Sequence, residues 1–167
     1  WALANQINPM VLGFLKYRPE LLMAFKPEAS EEAFPTPRTW EMVSGAVDLI
    51  EPKGILNQVI AGNVGAGAAA EFGAFLKLAK ELPSLDAIFN GENIVPTKVD
   101  LKYALVSGLA IRAKDAQYNR LIEYAAHLPE EFAVLMVKML ISRNRQAIGR
   151  AKLFPEWAHS HHDIVVF

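Results

Sequence analysis

Apolar residues recur at spacings of three and four along most of the chain, and almost nowhere at a spacing of two. That period belongs to helices with one buried stripe. Asn8 and Pro9 open the first clear helix, Asn8 as its cap and Pro9 at the first helical position, with Met10, Val11, Phe14 and Leu15 as the buried face. Residues 1–7 read as the end of an earlier helix. No cap precedes Trp1, so the chain is expected to begin inside an element. Arg18-Pro19-Glu20 marks a boundary, because proline disfavours helix in the residue before it. Leu21, Leu22 and Phe25 follow as a short apolar turn. Residues 26–36, polar and broken by proline, read as a surface loop carrying Glu28, Glu31 and Glu32.

The best start signal is the stretch Phe34-Pro35-Thr36-Pro37-Arg38-Thr39-Trp40-Glu41. Pro37 fits the first helical position, where its missing N–H costs nothing, and Thr36 is then the expected N-cap. Thr39 is close enough for the cap to shift slightly. Trp40, Val43, Ala46 and Val47 lay one apolar stripe along this helix, which should stop near Glu51-Pro52. Arg38 sits in the first turn, the unfavourable end of the helix dipole for a cation. An anion beside the amide end would offset that cost. So would Glu41 three residues on, a carboxylate from Glu31 or Glu32 folding back, or solvent.

Further on, residues 53–61 give a short apolar segment, and Gly62-Asn63-Val64-Gly65-Ala66-Gly67 precedes a long helical run from Ala68 to Ala79. Leu82-Pro83-Ser84 ends it. A short helix is expected over 85–89, an exposed connection over 90–97, and long helices from Asp100 to Ala113 and Ala116 to Leu128. Pro129-Glu130-Glu131 opens another, with acids in its favourable first turn. Residues 143–150 form a short amphipathic segment, and Phe154-Pro155-Glu156-Trp157 starts a last helix. Asn93–Val95 and Ile164–Phe167 are the strand candidates. The pattern predicts an all-α fold, an orthogonal or irregular multi-helix bundle of about eight to eleven helices. Pro52 and Gly54 mark a seam between residues 1–52 and 53–167, unless both share one continuous core.

Composition narrows the function classes. The 167 residues are 52% hydrophobic and 21% charged, an ordinary globular balance. With a net charge of -1 the chain has no basic excess for nucleic acid. Arg143, Arg145, Arg150 and Lys152 are interrupted by Asn144, Gln146 and Ala147 and read as a solvated helix face. The absence of cysteine removes disulfides and thiolate nucleophiles and suits the cytoplasm. No apolar run reaches membrane-spanning length, and the N-terminus does not read as a signal peptide.

Candidate chemistry is sparse. Gly62, Gly65 and Gly67 lack the Lys and Ser/Thr of a phosphate-binding loop, and no strand precedes them, so they read as a site of close helix packing. His127, near the end of a helix, suits capping or packing. His159 and His162 could share a helical face with His161 beside them. No third ligand is specified beyond Asp163 or Glu156, and no metal site is expected. No carboxylate pair can be argued for acid–base work. Arg18 and Glu20 form a polar spot suited to clamping their turn to a neighbouring helix. Arg38 is the best single candidate, because a positioned arginine stabilises charge on a transferring phosphoryl group. The pocket, the metal and the water-positioning group would have to come from another domain or chain.

Three stretches carry a family likeness: Asn8-Pro9-Met10-Val11-Leu12-Gly13-Phe14-Leu15, Arg18-Pro19-Glu20-Leu21-Leu22, and Ala33-Phe34-Pro35-Thr36-Pro37-Arg38-Thr39-Trp40-Glu41. They resemble the C-terminal part of bacterial MoxR-like AAA+ ATPases. Residues 61–72 and Leu128-Pro129-Glu130-Glu131-Phe132 look like a subgroup with a helical extension past the lid. The resemblance implies that residues 1–52 are the lid and 53–167 the extension. It implies that Arg38 is a sensor-2 arginine touching the terminal phosphate of ATP, with Thr36 and Pro37 setting the helix start. Trp40 would anchor the helix by packing and Glu41 by local hydrogen bonding. The nucleotide-binding core would lie upstream of Trp1, so ATP and Mg are expected only for the full-length protein and this chain alone should be inactive. The resemblance further implies a ring-forming homo-oligomer acting as a chaperone-like remodelling factor, with a von Willebrand factor A domain protein as partner. Nucleic acid and membrane are not expected as partners. The alternative is a stand-alone helical scaffold that binds protein without nucleotide.

Overall fold

The computed structural model describes residues 2, 5–25, 33–50 and 53–161. Ten α-helices and three short 3-10 turns account for the regular structure of these residues, and none of them lies in a strand. The all-α expectation holds. Asn93–Val95 is an irregular connection, not a strand, and Ile164–Phe167 lies outside the described residues. Among the described residues, no helix is long and apolar enough to cross a membrane.

The chain packs as two compact units, residues 1–81 and 82–167. The expected seam at 52/53 falls inside the first unit, because α3 and α4 pack with α1 and α2. This unit holds α1 (Pro9–Tyr17), a 3-10 turn (Pro19–Leu22), α2 (Pro37–Leu49), α3 (Lys53–Val64), α4 (Ala66–Leu78) and a second turn (Ala79–Glu81). Asn8 caps α1 as its sequence predicts, its Oδ1 accepting from Met10 N at 2.8 Å. The same residue ties α1 to α2. Its backbone N–H donates to Ser44 Oγ at 2.7 Å and its Nδ2 to Asp48 Oδ1 at 2.7 Å. The core is aromatic. The ring of Phe14 lies 5.6 Å from Trp40, 5.1 Å from Phe72 and 5.5 Å from Phe75, with Trp40 edge-on to Phe72 at 5.5 Å. Such tilted pairs align ring edges with ring faces and add to the burial of large apolar surface.

The glycine stretch does something other than expected. Helix α3 runs through Gly62 to Val64 and breaks at Gly65, whose φ of 82° is a region that side chains avoid. A Cβ on Gly62 or Gly67 would meet nothing within 4 Å, so these two do not serve close packing. The small residues that pack are Ala68 and Ala69, buried on α4.

The second unit holds α5 (Leu85–Phe89), α6 (Val99–Arg112), a 3-10 turn (Asp115–Gln117), α7 (Tyr118–Ala125), α8 (Glu130–Arg143), α9 (Arg145–Gly149) and α10 (Phe154–Ser160). Helix α8 packs against α6, α7 and α9. Phe132, Val134, Met136, Val137, Met139 and Leu140 are all buried, which takes in most of its circumference and marks it as the central helix. Helix α7 is shorter than its sequence suggests, because residues 115–117 wind as a 3-10 turn. At Gly108 the close approach is real. A Cβ there would stand 3.0 Å from Leu85 Cδ1, so the missing side chain lets α5 lie on α6.

Two glycines three positions apart should therefore respond oppositely. Gly62→Ala, in an open helical position, should stabilise the chain by about 0.5–1 kcal/mol in urea unfolding, whereas Gly65→Ala should destabilise it. Phe72→Ala should cost about 3–5 kcal/mol by the same measurement.

Candidate functional site

The first turn of α2 is built by two threonines. Thr39 N–H donates to Thr36 Oγ1 at 3.1 Å, and Thr36 N–H donates to Thr39 Oγ1 at 2.9 Å. This reciprocal pair is a capping box with threonine in place of the usual Glu or Gln. Thr36 is the N-cap and Pro37 the first helical residue, as the sequence predicts. Proline has no N–H, Thr39 N–H is capped, and Trp40 N–H donates to Thr36 O at 3.0 Å. Arg38 N–H is the amide of this turn left without an acceptor among the described residues.

The Arg38 side chain is exposed and has no hydrogen-bond or ion-pair partner among the described residues. The pairing with Glu41 does not form. The Glu41 side chain is itself exposed and without a hydrogen bond among them, and Glu31 and Glu32 lie outside the described residues. The hydrogen-bonding support expected of Glu41 comes from Thr39. Support by packing comes from Trp40, which is fully buried and donates its indole Nε1–H to Leu21 O at 2.7 Å.

Helix α2 carries two exposed apolar side chains, Met42 and Leu49, opposite Trp40 and Val43. Arg38, Met42, Gly45 and Leu49 follow one another by four, three and four residues and therefore share one face. All four are exposed, Met42 by 50% and Leu49 by 83%. Near the start of this helix, Ala24 N–H donates to Pro35 O at 3.1 Å and the rings of Phe25 and Phe34 lie 4.7 Å apart. Phe25 remains 54% exposed.

Arg18 does what its position suggests. It pairs with Glu20 in its own turn and with Glu71 on α4. The hydrogen bond with Arg18 holds the Glu20 carboxyl below the usual carboxylate range, and the same bond raises the Arg18 guanidinium further. Glu71 could not be found from sequence, since 53 positions separate it from Arg18 and no local pattern links them. Thr39 could have been, from the T-x-x-T spacing.

The other candidates do not converge. His127 is exposed in the turn after α7 rather than packed on a helix. His161 stacks on Trp157 at 4.1 Å, with its Nδ1 2.8 Å from Trp157 O, while His159 is exposed and His162 lies outside the described residues. No group of three metal-ligating side chains occurs among the described residues. In the basic cluster, Arg143 donates to Ala110 O at 2.8 Å. Arg150 lines a surface hollow of about 230 Å³ with Asp115 and Asn119.

Sequence reasoning also missed a clamp in the second unit. Arg120 donates from Nε to Ile88 O at 2.9 Å, and from Nη2 to Glu92 O and Asn93 Oδ1, both at 2.6 Å. One turn on, Tyr124 Oη donates to Ile94 O at 2.7 Å. Together they fasten the 90–97 connection to α7. Burial pushes the Tyr124 phenol from 10.0 up to about 12, and the Arg120 charge partly opposes that rise.

Arg38→Ala should leave unfolding free energy within about 0.5 kcal/mol of wild type, whereas Thr36→Ala should cost about 1 kcal/mol. Tyr124 sets an alkaline limit. Between pH 10.0 and about 12 the unfolded chain loses the phenolic proton while the folded chain keeps it, so this group's stabilisation falls as pH rises through that window. Tyr124→Phe should flatten that part of the stability profile, measured by urea titration at successive pH values.

Compared with family models, curated proteins and solved structures, the chain matches none.

Proposed function

We propose that the chain is the lid and helical extension of a chaperone-like remodelling ATPase of the MoxR-like AAA+ type, with Arg38 as its sensor-2 arginine. In this reading a nucleotide-binding core outside residues 1–167 holds ATP and Mg. Arg38 touches the terminal phosphate, and hydrolysis is coupled to motion of the lid. The ring assembly and the von Willebrand factor A domain partner belong to the same proposal.

The observation that carries it is the state of Arg38. The guanidinium stands exposed on a capped first turn, and among the described residues the amide beside it has no acceptor and no carboxylate answers the charge. A cation there is at the wrong end of the dipole, and an incoming phosphate relieves both the cation and the amide. Arginine suits this task because its planar fork binds phosphate oxygens in pairs. The two side chains below it, Met42 and Leu49, offer apolar surface for a partner domain on the face that Arg38 heads. They equally suit the second reading, a helical scaffold that binds protein without nucleotide.

Both readings leave the isolated chain without turnover, and one measurement separates them. The isolated chain should hydrolyse no ATP above background. In the ATPase that carries this lid, Arg38→Ala should lower kcat by about tenfold or more, which is about 1.4 kcal/mol of transition-state stabilisation, while the melting temperature stays in place. Unchanged turnover would sink the sensor assignment and leave the scaffold.

A further inference from the structure

Arg18 joins three elements. It follows α1 directly, it opens the 3-10 turn, and its Nη1 reaches Glu71 Oε2 on α4. The next link is made by the main chain of the same turn, where Leu21 O accepts from Trp40 Nε1 at 2.7 Å. Trp40 is fully buried against Phe14 and Phe72 and lies two residues after Arg38 in the first turn of α2. A displacement of the 19–22 turn must therefore either break the indole hydrogen bond or carry the start of α2 with it. An unsatisfied buried indole N–H is costly, so the second course is favoured. The exposed link in this series is the Arg18–Glu71 pair, with side chains 35% and 40% exposed. Glu20 cannot replace Glu71, because it belongs to the same turn as Arg18 and ties that turn only to itself.

We propose that Glu71 is a positioning residue for Arg38. By holding Arg18 it braces the 19–22 turn against α4, and through Trp40 that turn sets the position of the guanidinium. The functional meaning rests on the sensor-2 reading given above. On that reading α4, which the family likeness assigns to the extension, adjusts the phosphate contact made by the lid.

An exposed ion pair contributes little to global stability and is screened by salt, so the brace can be removed without unfolding the chain. The test uses the 167-residue chain and the NMR signals of the Trp40 indole N–H and the Arg38 amide. Glu71→Gln should shift both signals while the indole proton stays protected from exchange, with the melting temperature unchanged. Salt at about 1 M, where screening reaches within about 3 Å, should move the wild-type signals toward those of the variant and leave the variant unmoved. A merely structural role for the Glu71 side chain would not give that salt response. Arg18→Ala should reproduce the Gln variant and stands in for it if Glu71→Gln misfolds. Signals that stay in place in both variants, or that move equally with salt in wild type and variant, would overturn the proposal. Turnover of the full ATPase keeps the two readings apart. Shifted signals with normal turnover in Arg38→Ala retain the brace and remove the sensor. Unshifted signals with impaired Arg38→Ala turnover do the reverse.

Discussion

The first unit depends on the burial of one indole. Trp40 brings the largest side chain of the fully buried set into an aromatic cluster, and with it an N–H that water can no longer reach. That donor needs an acceptor inside the protein. Leu21 O supplies it, which requires the chain to turn sharply after α1 and bring residues 19–22 against α2. Pro19 makes the turn possible by ending α1 at Tyr17, and Arg18 holds it from the outside. Hydrophobic burial thus supplies the drive, and a single hydrogen bond fixes the direction.

The same logic explains why Arg38 is available. In a capping box the third helical residue is commonly Glu or Gln, and a Glu there would put a negative charge in the same turn as Arg38. Here that position is Thr39, which satisfies the Thr36 amide without introducing charge. The first turn of α2 contains no acidic residue. A stable helix start and a cation without a partner among the described residues are therefore compatible at this site, although the dipole opposes the second.

Most of the helices were legible because their cause is local. Asn8-Pro9, Thr36-Pro37 and Pro129-Glu130-Glu131 are start signals whose chemistry acts within one turn, and all three stand at helix starts. The glycine stretch was misread for a related reason. Spacing shows where glycine is tolerated, but only backbone conformation distinguishes Gly65, which needs its positive φ, from Gly62, which does not. What stayed hidden was long-range. The division at residue 81 follows from aromatic side chains of α4 filling the space between α1 and α2, and no local pattern at Pro52 reports that. Glu71 and the carbonyls of residues 88, 92 and 94 are partners found only when helices come together.

Arginines in this chain meet different ends, and the difference bears on function. Arg120 is largely buried and closes on main-chain carbonyls, and Arg143 reaches one from an exposed helix end. Arg18 closes on two carboxylates. Each of these satisfies protein groups and holds a connection or a turn in place. Arg38 does none of this among the described residues, and its helix start is secured by other means. Among the described residues its side chain has no partner, and the turn that carries it is capped by Thr36 and Thr39. On the proposed reading, a backbone already fixed by Thr36, Thr39 and Trp40 loses less freedom on meeting a phosphate than one on a frayed helix end.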